Sequence, residues 1–221
     1  MKVGAVIVAA GRGQRAGGGV PKQWRALGQT TVAVHAVKAF SEHPDVTKIV
    51  LVVHPDDIAA CRVPDDLDVE VVHGGETRSA SVLAGLQALS GLTEMVLIHD
   101  AARPCVSEKI ISDVISGLSR APVAAPAIPV VDALWHGAEG RVVGTADRSG
   151  LFRAQTPQGF DLDQIIAAHH AFPDGAADDV EIARSAGLEV VMTRGEEENL
   201  KITVPEDFAR AETILRVRNG H

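Results

Sequence analysis

The 221-residue chain has no tyrosine, two tryptophans and five phenylalanines, so aromatics make up only 3% of it. Stacking platforms for single-stranded nucleic acid have little to be built from. The core must instead come from Val, Ile, Leu and Ala, a composition that suits a buried parallel sheet. Only two cysteines occur, Cys61 and Cys105, in unrelated contexts. They form neither a disulfide framework nor a CxxC metal pair, and a reducing cytoplasm is the expected setting. No apolar run reaches the roughly 18 residues that a membrane span needs. Met1-Lys2 followed by Val3–Ala10 faintly imitates a signal peptide. The stretch is short and runs into Gly11-Arg12-Gly13, so a buried first strand is expected there. Asp and Glu are missing from the whole stretch before Glu42, which nevertheless holds Lys2, Arg12, Arg15, Lys22, Arg25 and Lys38. The chain overall is acidic, with 21 Lys+Arg against 29 Asp+Glu and a formal net charge of −8. That balance excludes a global basic footprint for DNA or RNA. An acid-free basic start in an acidic chain can focus positive potential on a small anion; on charge alone, simple solvation explains it equally well.

What is present is an alternation of β-branched runs and helical patterns. Strands are expected at Val3–Ala9, Lys48–Val53, Val69–His73, Met95–His99 and Val123–Ala127. Helices are expected over Thr31–Ser41, Thr77–Leu89 and Glu108–Leu118. This order argues for an α/β fold with a mostly parallel sheet in a single unit, residues 1–221. The pattern breaks at residues 130–146. Val131–Trp135 and Arg141–Thr145 flank the polar turn His136–Gly140, which reads as a β-hairpin arm leaving the main sheet. The arm offers Leu134 and Trp135 either to a second subunit or to its own domain. Asp161 with Gln164 and Thr203 with Glu206 read as capping boxes for a helix to Ala171 and for the last helix. Between them, Glu189–Thr193 and Asn199–Val204 read as strands. The chain stops soon after the last helix, at Asn219-Gly220-His221, and no fused partner is expected.

The first strand leads into Ala9-Ala10-Gly11-Arg12-Gly13-Gln14-Arg15-Ala16, then Gly17-Gly18-Gly19-Val20-Pro21-Lys22-Gln23. Closely spaced glycines let backbone amides approach a polyphosphate. The spacing Gly11-x-Gly13-x-x-Ala16 matches a loose dinucleotide fingerprint, but that site needs a helix directly after the glycines and an acid about 20 positions on. Gly17–Gly19 and Pro21 break the helix, and no acid precedes Glu42. No Gly-Lys-Ser/Thr exists for a Walker A loop. A long, cation-bearing loop of this kind suits a nucleoside triphosphate.

Further motifs follow in order: Gly74-Gly75-Glu76-x-Arg78-x-x-Ser81, His99-Asp100-Ala101-Ala102-Arg103-Pro104, Asp147-Arg148-x-Gly150-Leu151, Gln155-Thr156-Pro157-Gln158 and Lys201-Ile202-Thr203. Each alone has a plain structural explanation. Gly74-Gly75 can be a tight turn and Ser81 a helix residue, Asp100 can cap a turn, and Lys201 can blunt a strand edge. His99 is best read as a strand-end histidine satisfied by backbone. Taken together and in register from Val3 to about Ala211, the motifs resemble the 2-C-methyl-D-erythritol 4-phosphate cytidylyltransferases of the non-mevalonate isoprenoid pathway.

The resemblance implies a Rossmann-like nucleotidyltransferase fold with the arm as its dimerisation element. It implies CTP and methylerythritol phosphate as substrates, Mg²⁺ as cofactor, and a homodimer in the cytoplasm. It also implies no nucleic-acid or membrane partner. Catalytic roles would fall to Arg15, Lys22, Arg148 and Lys201. Nucleotide contacts would come from Ala9, Ala10, Gly11, Gly13, Gly75, Glu76, Ser81, Asp100 and Ala101. Arg103, Arg148, Thr156 and Lys201 would bind the acceptor, with Arg148 reaching into the partner's site. Asp100 would hold the metal, directly or through water. One departure stands out. The family usually carries Asp-Thr after the Pro-Val step, with Lys two residues later. Here Pro129-Val130-Val131-Asp132 is followed by Ala133, Leu134 and Trp135, so a threonine hydroxyl for the acceptor phosphate is missing. A sister activity, ribitol 5-phosphate cytidylyltransferase, and a non-catalytic nucleotide-binding protein on the same fold are the alternatives.

Overall fold

The structure is a computed structural model that describes residues 2–11, 20–172, 176–218 and 220. Strand β1 (Val3–Ala9) is followed by the short antiparallel pair β2 (Ala26–Leu27) and β3 (Thr30–Thr31), then α1 (Val32–Ser41) and β4 (Val46–Val53). Next come β5 (Val69–His73), α2 (Arg78–Leu89), β6 (Met95–Asp100), α3 (Glu108–Gly117) and β7 (Val123–Pro129). The arm is β8 (Leu134–Ala138) and β9 (Arg141–Ala146). The chain closes with β10 (Phe152–Ala154), β11 (Gln158–Asp161), α4 (Leu162–Ala171), α5 (Asp179–Ser185), β12 (Val190–Arg194) and α6 (Glu206–Arg218).

The expected mostly parallel sheet is present. β4 pairs with β1 and β5, and β6 lies on the other side of β1, all parallel. β12 runs parallel to β7, and the antiparallel β11 stitches β6 to β7. β10 continues along β7. Alternation along each strand feeds two cores. Val3, Ala5, Ile7, Leu51 and Leu97 meet α1 and α3 through Val37, Phe40, Ile111 and Val114. Val6, Val50, Val52, Val96 and Ile98 meet α2, α4 and α5 through Val82, Leu86, Ile165 and Ile182. A third cluster packs Leu27, Val32, Ile202 and Ala211 with Phe208 and Ile214 of α6. Arg25 lies over the Phe208 ring, 4.4 Å from its centroid, and ties the segment after the glycine loop to this last helix.

Helix starts follow the cap rule. Thr31, Thr77, Ser107, Asp161 and Asp178 each accept a bond from a backbone amide of the first turn. The Asp161–Gln164 expectation holds at the amide of Gln164. The Thr203–Glu206 box does not close as expected. Instead Asp207 Oδ2 accepts from the amides of Thr203 and Val204 and from the Thr203 hydroxyl, because the helix begins at Glu206 and its next residue faces back over the turn.

Three further expectations are corrected. Residues 199–204 form no strand: Ile202 N bonds to Ala102 O, while Asn199 N and Val204 O make only local turn bonds to Glu196 O and Asp207 N. The first strand of the arm starts at Leu134 rather than Val131, since Val130 is still bonded to Leu151 at the arm's base. Its turn narrows to Glu139-Gly140, both at positive φ (49° and 76°), the twist that a two-residue hairpin turn requires. Helix α5 and strands β10 and β11 were not expected from the sequence; they are short and lack a clean period.

Candidate active site

In an open α/β sheet, ligands bind at the carboxyl ends of strands where the strand order reverses. Here that point lies between β1 and β6, because the chain runs β1, β4, β5 in one direction and returns to place β6 beside β1. A cleft of about 350 Å³ opens there. Its wall includes Ala9, Ala10 and Gly11 after β1, and Lys22 and Gln23. His54 after β4, the 75–78 turn, Ser81, Asp100 at the end of β6, and Lys201 complete it.

Each part is positioned by an identifiable contact. Gln23 Nε2 donates to the carbonyls of Ala9 (2.7 Å) and Gly11 (2.8 Å) and so fixes the end of β1. At Gly11 a Cβ would meet nothing within 4 Å among the described residues. The turn on the opposite wall is tight instead. A Cβ on Gly74 would lie 2.5 Å from Ala10 Cβ, and one on Gly75 would lie 2.6 Å from Ala80 Cβ. Ser81 Oγ accepts from the Gly75 amide (3.1 Å) and donates to Thr77 O (2.9 Å). The Ser81 hydroxyl therefore shapes the turn itself.

The ionic part of the cleft converges on Asp100. Lys201 Nζ lies 2.7 Å from Asp100 Oδ2, and Arg78 NH2 lies 3.7 Å from Oδ1. Burial disfavours the charge on Asp100, but Lys201 and then Arg78 outweigh it, and the carboxyl is held well below the usual carboxylate range. Lys22 Nζ donates to Ile202 O at 2.6 Å, which brings the basic start of the chain against the residue after Lys201.

Behind Asp100 sits a buried relay. The Arg103 carbonyl can only accept, so His99 Nε2, 3.1 Å away, donates to it. Burial pushes the His99 pKa down to about 4, so the ring is neutral and its Nδ1 accepts from the Thr156 hydroxyl at 3.0 Å. The same Thr156 oxygen accepts from the Asp100 amide at 3.1 Å. His99 is thus satisfied inside the fold, as the sequence reading expected.

The Gln155–Gln158 motif turns out to be scaffolding as much as site. Gln155 Nε2 donates to Glu196 O (2.8 Å) and its Oε1 accepts from the Glu196 amide (3.1 Å), while Asn199 Nδ2 donates to Thr156 O (2.8 Å). These bonds set the loop that carries Lys201. Gln158 clamps the start of α5 through Asp178 and the Val180 amide.

Of the residues singled out from the sequence, Ala9, Ala10, Gly11, Lys22, Gly75, Glu76, Ser81, Asp100 and Lys201 share the cleft wall. Ala101 and Thr156 are buried behind it. Arg103 is also set back. Its guanidinium donates to Asn199 O (2.7 Å), and burial lowers its pKa from the ordinary arginine value despite Asp100 nearby. Arg148 is exposed at the base of the arm, bonded to Val131 O, and is not on the wall. Arg15 and Gly13 lie outside the described residues. The sequence reading gave no role to Gln23, His54, Arg78 or Asn199. Two of them carried a signal: Arg78 by its place inside the Gly74–Ser81 motif, and Gln23 by its place in Pro21-Lys22-Gln23.

The family model for IspD, 2-C-methyl-D-erythritol 4-phosphate cytidylyltransferase, matches residues 3–217. The chain belongs to this family. The Roseobacter denitrificans 2-C-methyl-D-erythritol 4-phosphate cytidylyltransferase is 65% identical over 221 residues, covering all of both chains. The Cereibacter sphaeroides (strain ATCC 17023) protein of the same name is 54% identical, again over the full length of both. Among solved structures, the Thermus thermophilus 2-C-methyl-D-erythritol 4-phosphate cytidylyltransferase superposes with a TM-score of 0.83 at 30% identity, covering 98% of this chain and all of that one. Within this family the chain is a nucleotidyltransferase enzyme on an α/β fold of the same type.

Proposed function

We propose that the chain transfers the cytidylyl group of CTP to 2-C-methyl-D-erythritol 4-phosphate and releases pyrophosphate. The observation that carries this reading is the 65% identity across the whole chain to a relative of that name. In the reaction, a phosphate oxygen of the acceptor forms a bond to the α-phosphorus of CTP. The bond from that phosphorus to the bridging oxygen breaks in line, and pyrophosphate leaves with its electron pair. The attacking group is already an anion, so catalysis rests on positioning and on neutralising charge. The cleft supports that demand. Lys22 and Lys201 stand on one wall, Ala9–Gly11 offers an open backbone approach, and Gly75 and Ser81 form a stiff turn for the nucleoside. Arg15 joins the cations of the glycine loop in this reading. Arg103 and Thr156, set just behind the wall, shape the acceptor end.

Mg²⁺ belongs to the proposal. Among the described residues no group of three or more His, Cys, Asp or Glu is gathered to hold a metal. Magnesium does not need one: it keeps waters and takes one or two carboxylates beside substrate phosphates. Asp100, kept ionised by Lys201 and Arg78, fits that role. When bound, the ion would neutralise part of the triphosphate charge.

The single unit 1–221 with its arm at 130–146 is proposed to act as a homodimer. Val131, Trp135, Val142, Val143, Leu151 and Phe152 are exposed apolar side chains on and beside the arm, a surface that a second copy would cover. Arg148, at the arm's base, would then reach the partner's cleft and bind acceptor phosphate. A cytoplasmic setting is proposed from the two free thiols, Cys61 and Cys105. No helix of the described residues is long and apolar enough to cross a membrane.

The test is pyrophosphate release in the presence of CTP, Mg²⁺ and either methylerythritol 4-phosphate or ribitol 5-phosphate. Release with the first acceptor is expected. Preference for ribitol 5-phosphate would overturn the acceptor, to which the Ala133 departure is relevant. CTP binding without release with either acceptor would favour a nucleotide sensor.

A further inference from the structure

One charged group deep in the fold is not used by the mechanism above. Asp179, on α5, is fully buried, and its Oδ2 lies 2.8 Å from Arg78 NH2. Its other oxygen faces His169 Nε2 of α4 at 3.3 Å, and His169 Nδ1 lies 3.1 Å from Ser79 Oγ. The Arg78 nitrogen that meets Asp179 is also the one that faces Asp100 across 3.7 Å. Arg78 is 35% exposed and lies on the cleft wall beside Gly75, Glu76 and Ser81. A carboxylate with no exposure is costly to keep unless it is paired, and an apolar pair of the same volume is often as stable. Here the cation of the pair is part of the cleft wall.

We propose that Asp179 is a positioning residue for nucleotide binding, acting through Arg78. An arginine side chain on an open wall has several rotamers. Asp179 selects the one in which a single guanidinium nitrogen meets Asp179 and faces the carboxylate of Asp100. Burial disfavours the Arg78 charge, yet Asp179 first and Asp100 next outweigh it and hold the group above its ordinary value. The cleft therefore keeps a fixed cation on its nucleoside side, placed from a helix about 100 residues further along the chain. Gln158 holds the start of that helix through Asp178 and the Val180 amide, so the anchor is itself tied to β11. This inference rests on the reading that the cleft takes CTP.

A double-mutant cycle tests it, read by equilibrium CTP binding, by the KM for CTP and by Tm. Asp179→Asn, which removes the charge at nearly constant volume, is expected to weaken CTP binding about tenfold or more, the scale of a charge-assisted bond. Its kcat and its KM for the acceptor should stay within about twofold, on the scale where tenfold is 1.4 kcal/mol. Arg78→Met should weaken CTP binding at least as much, and in that background Asp179→Asn should add nothing further to the loss of CTP affinity. Should Asp179→Asn fold poorly, Arg78→Lys on the half-exposed wall serves in its place. It keeps the charge but loses the fork, and is expected to raise the CTP Kd with Tm unchanged. Full additivity in the cycle, or wild-type CTP binding by folded Asp179→Asn or Arg78→Lys, overturns the proposal. Failure of the wild-type enzyme to bind CTP at all would instead sink the nucleotide reading on which it stands.

Discussion

The cleft and the hairpin arm are built in opposite ways. In the cleft, Asp100 is held by Lys201 and Arg78, its amide by Thr156, and that hydroxyl by His99. The Lys201 loop is tied down by Gln155 and Asn199. In the arm, Trp135 is 65% exposed and Val143 63%, and Arg148 bonds to the nearby Val131 carbonyl. The cleft is thus preorganised by its own chain, while the arm leaves apolar and cationic groups exposed, the groups that the proposed homodimer would use. The difference teaches where to expect function to fail. Damage to the cleft should act on each site separately. In the proposed homodimer, damage to the arm should act across a pair of sites.

The largest expected effect comes from Lys22→Ala and Arg148→Ala, which separate the two modes. Loss of one preorganised charge donor costs about 10²–10³ in turnover, so each variant alone should be nearly inactive while keeping its fold by circular dichroism. Mixed after subunit exchange, the two should regain about a quarter of wild-type activity, since half of the dimers are mixed and each mixed dimer holds one intact site. Absence of any recovery would place Arg148 in its own chain's site and break the comparison.

A smaller effect is expected in the relay behind Asp100. The unfolded chain protonates His99 near pH 6.5, whereas the folded chain refuses the proton until about 4. Between those values the unfolded state binds more protons, so stability falls as the pH drops through this window. His99→Gln should flatten that part of the Tm–pH curve and cost about 1–3 kcal/mol at neutral pH, through the groups left unpaired. An unchanged pH dependence would show that His99 is not the buried neutral group described.

The smallest effect on the chain itself is expected at Trp135→Glu. The side chain is exposed, so unfolding of the monomer should shift by no more than about 0.5 kcal/mol. Sedimentation should nevertheless show a shift from dimer to monomer, with activity falling as the enzyme is diluted. A dimer unchanged by this substitution would move the interface elsewhere.

Much of the cleft was legible in the sequence because its residues sit where local pattern and chemistry coincide. Ala9–Gly11 ends an apolar strand, Asp100 ends another, and Ser81 opens a helix just after a glycine pair. The relay, the Gln155–Asn199 tether and the Asp179–Arg78 pair were not legible. Each joins segments 41 to 101 positions apart, and no local periodicity encodes which distant carbonyl a glutamine will find. The expected strand at Asn199–Val204 failed for the same reason: its apolar residues were claimed by side-chain tethers and the α6 cluster rather than by a sheet edge.

Hydrophobic alternation and cap residues alone determined the α/β class, the order of the parallel strands along the chain and the existence of the arm, since those follow from period and local hydrogen bonding. Only the tertiary structure decided that Lys22, Arg78, Asp100 and Lys201 face one space. Folding brings charges together at short range, and the strength of their coupling depends on distance and burial, which a linear order does not contain.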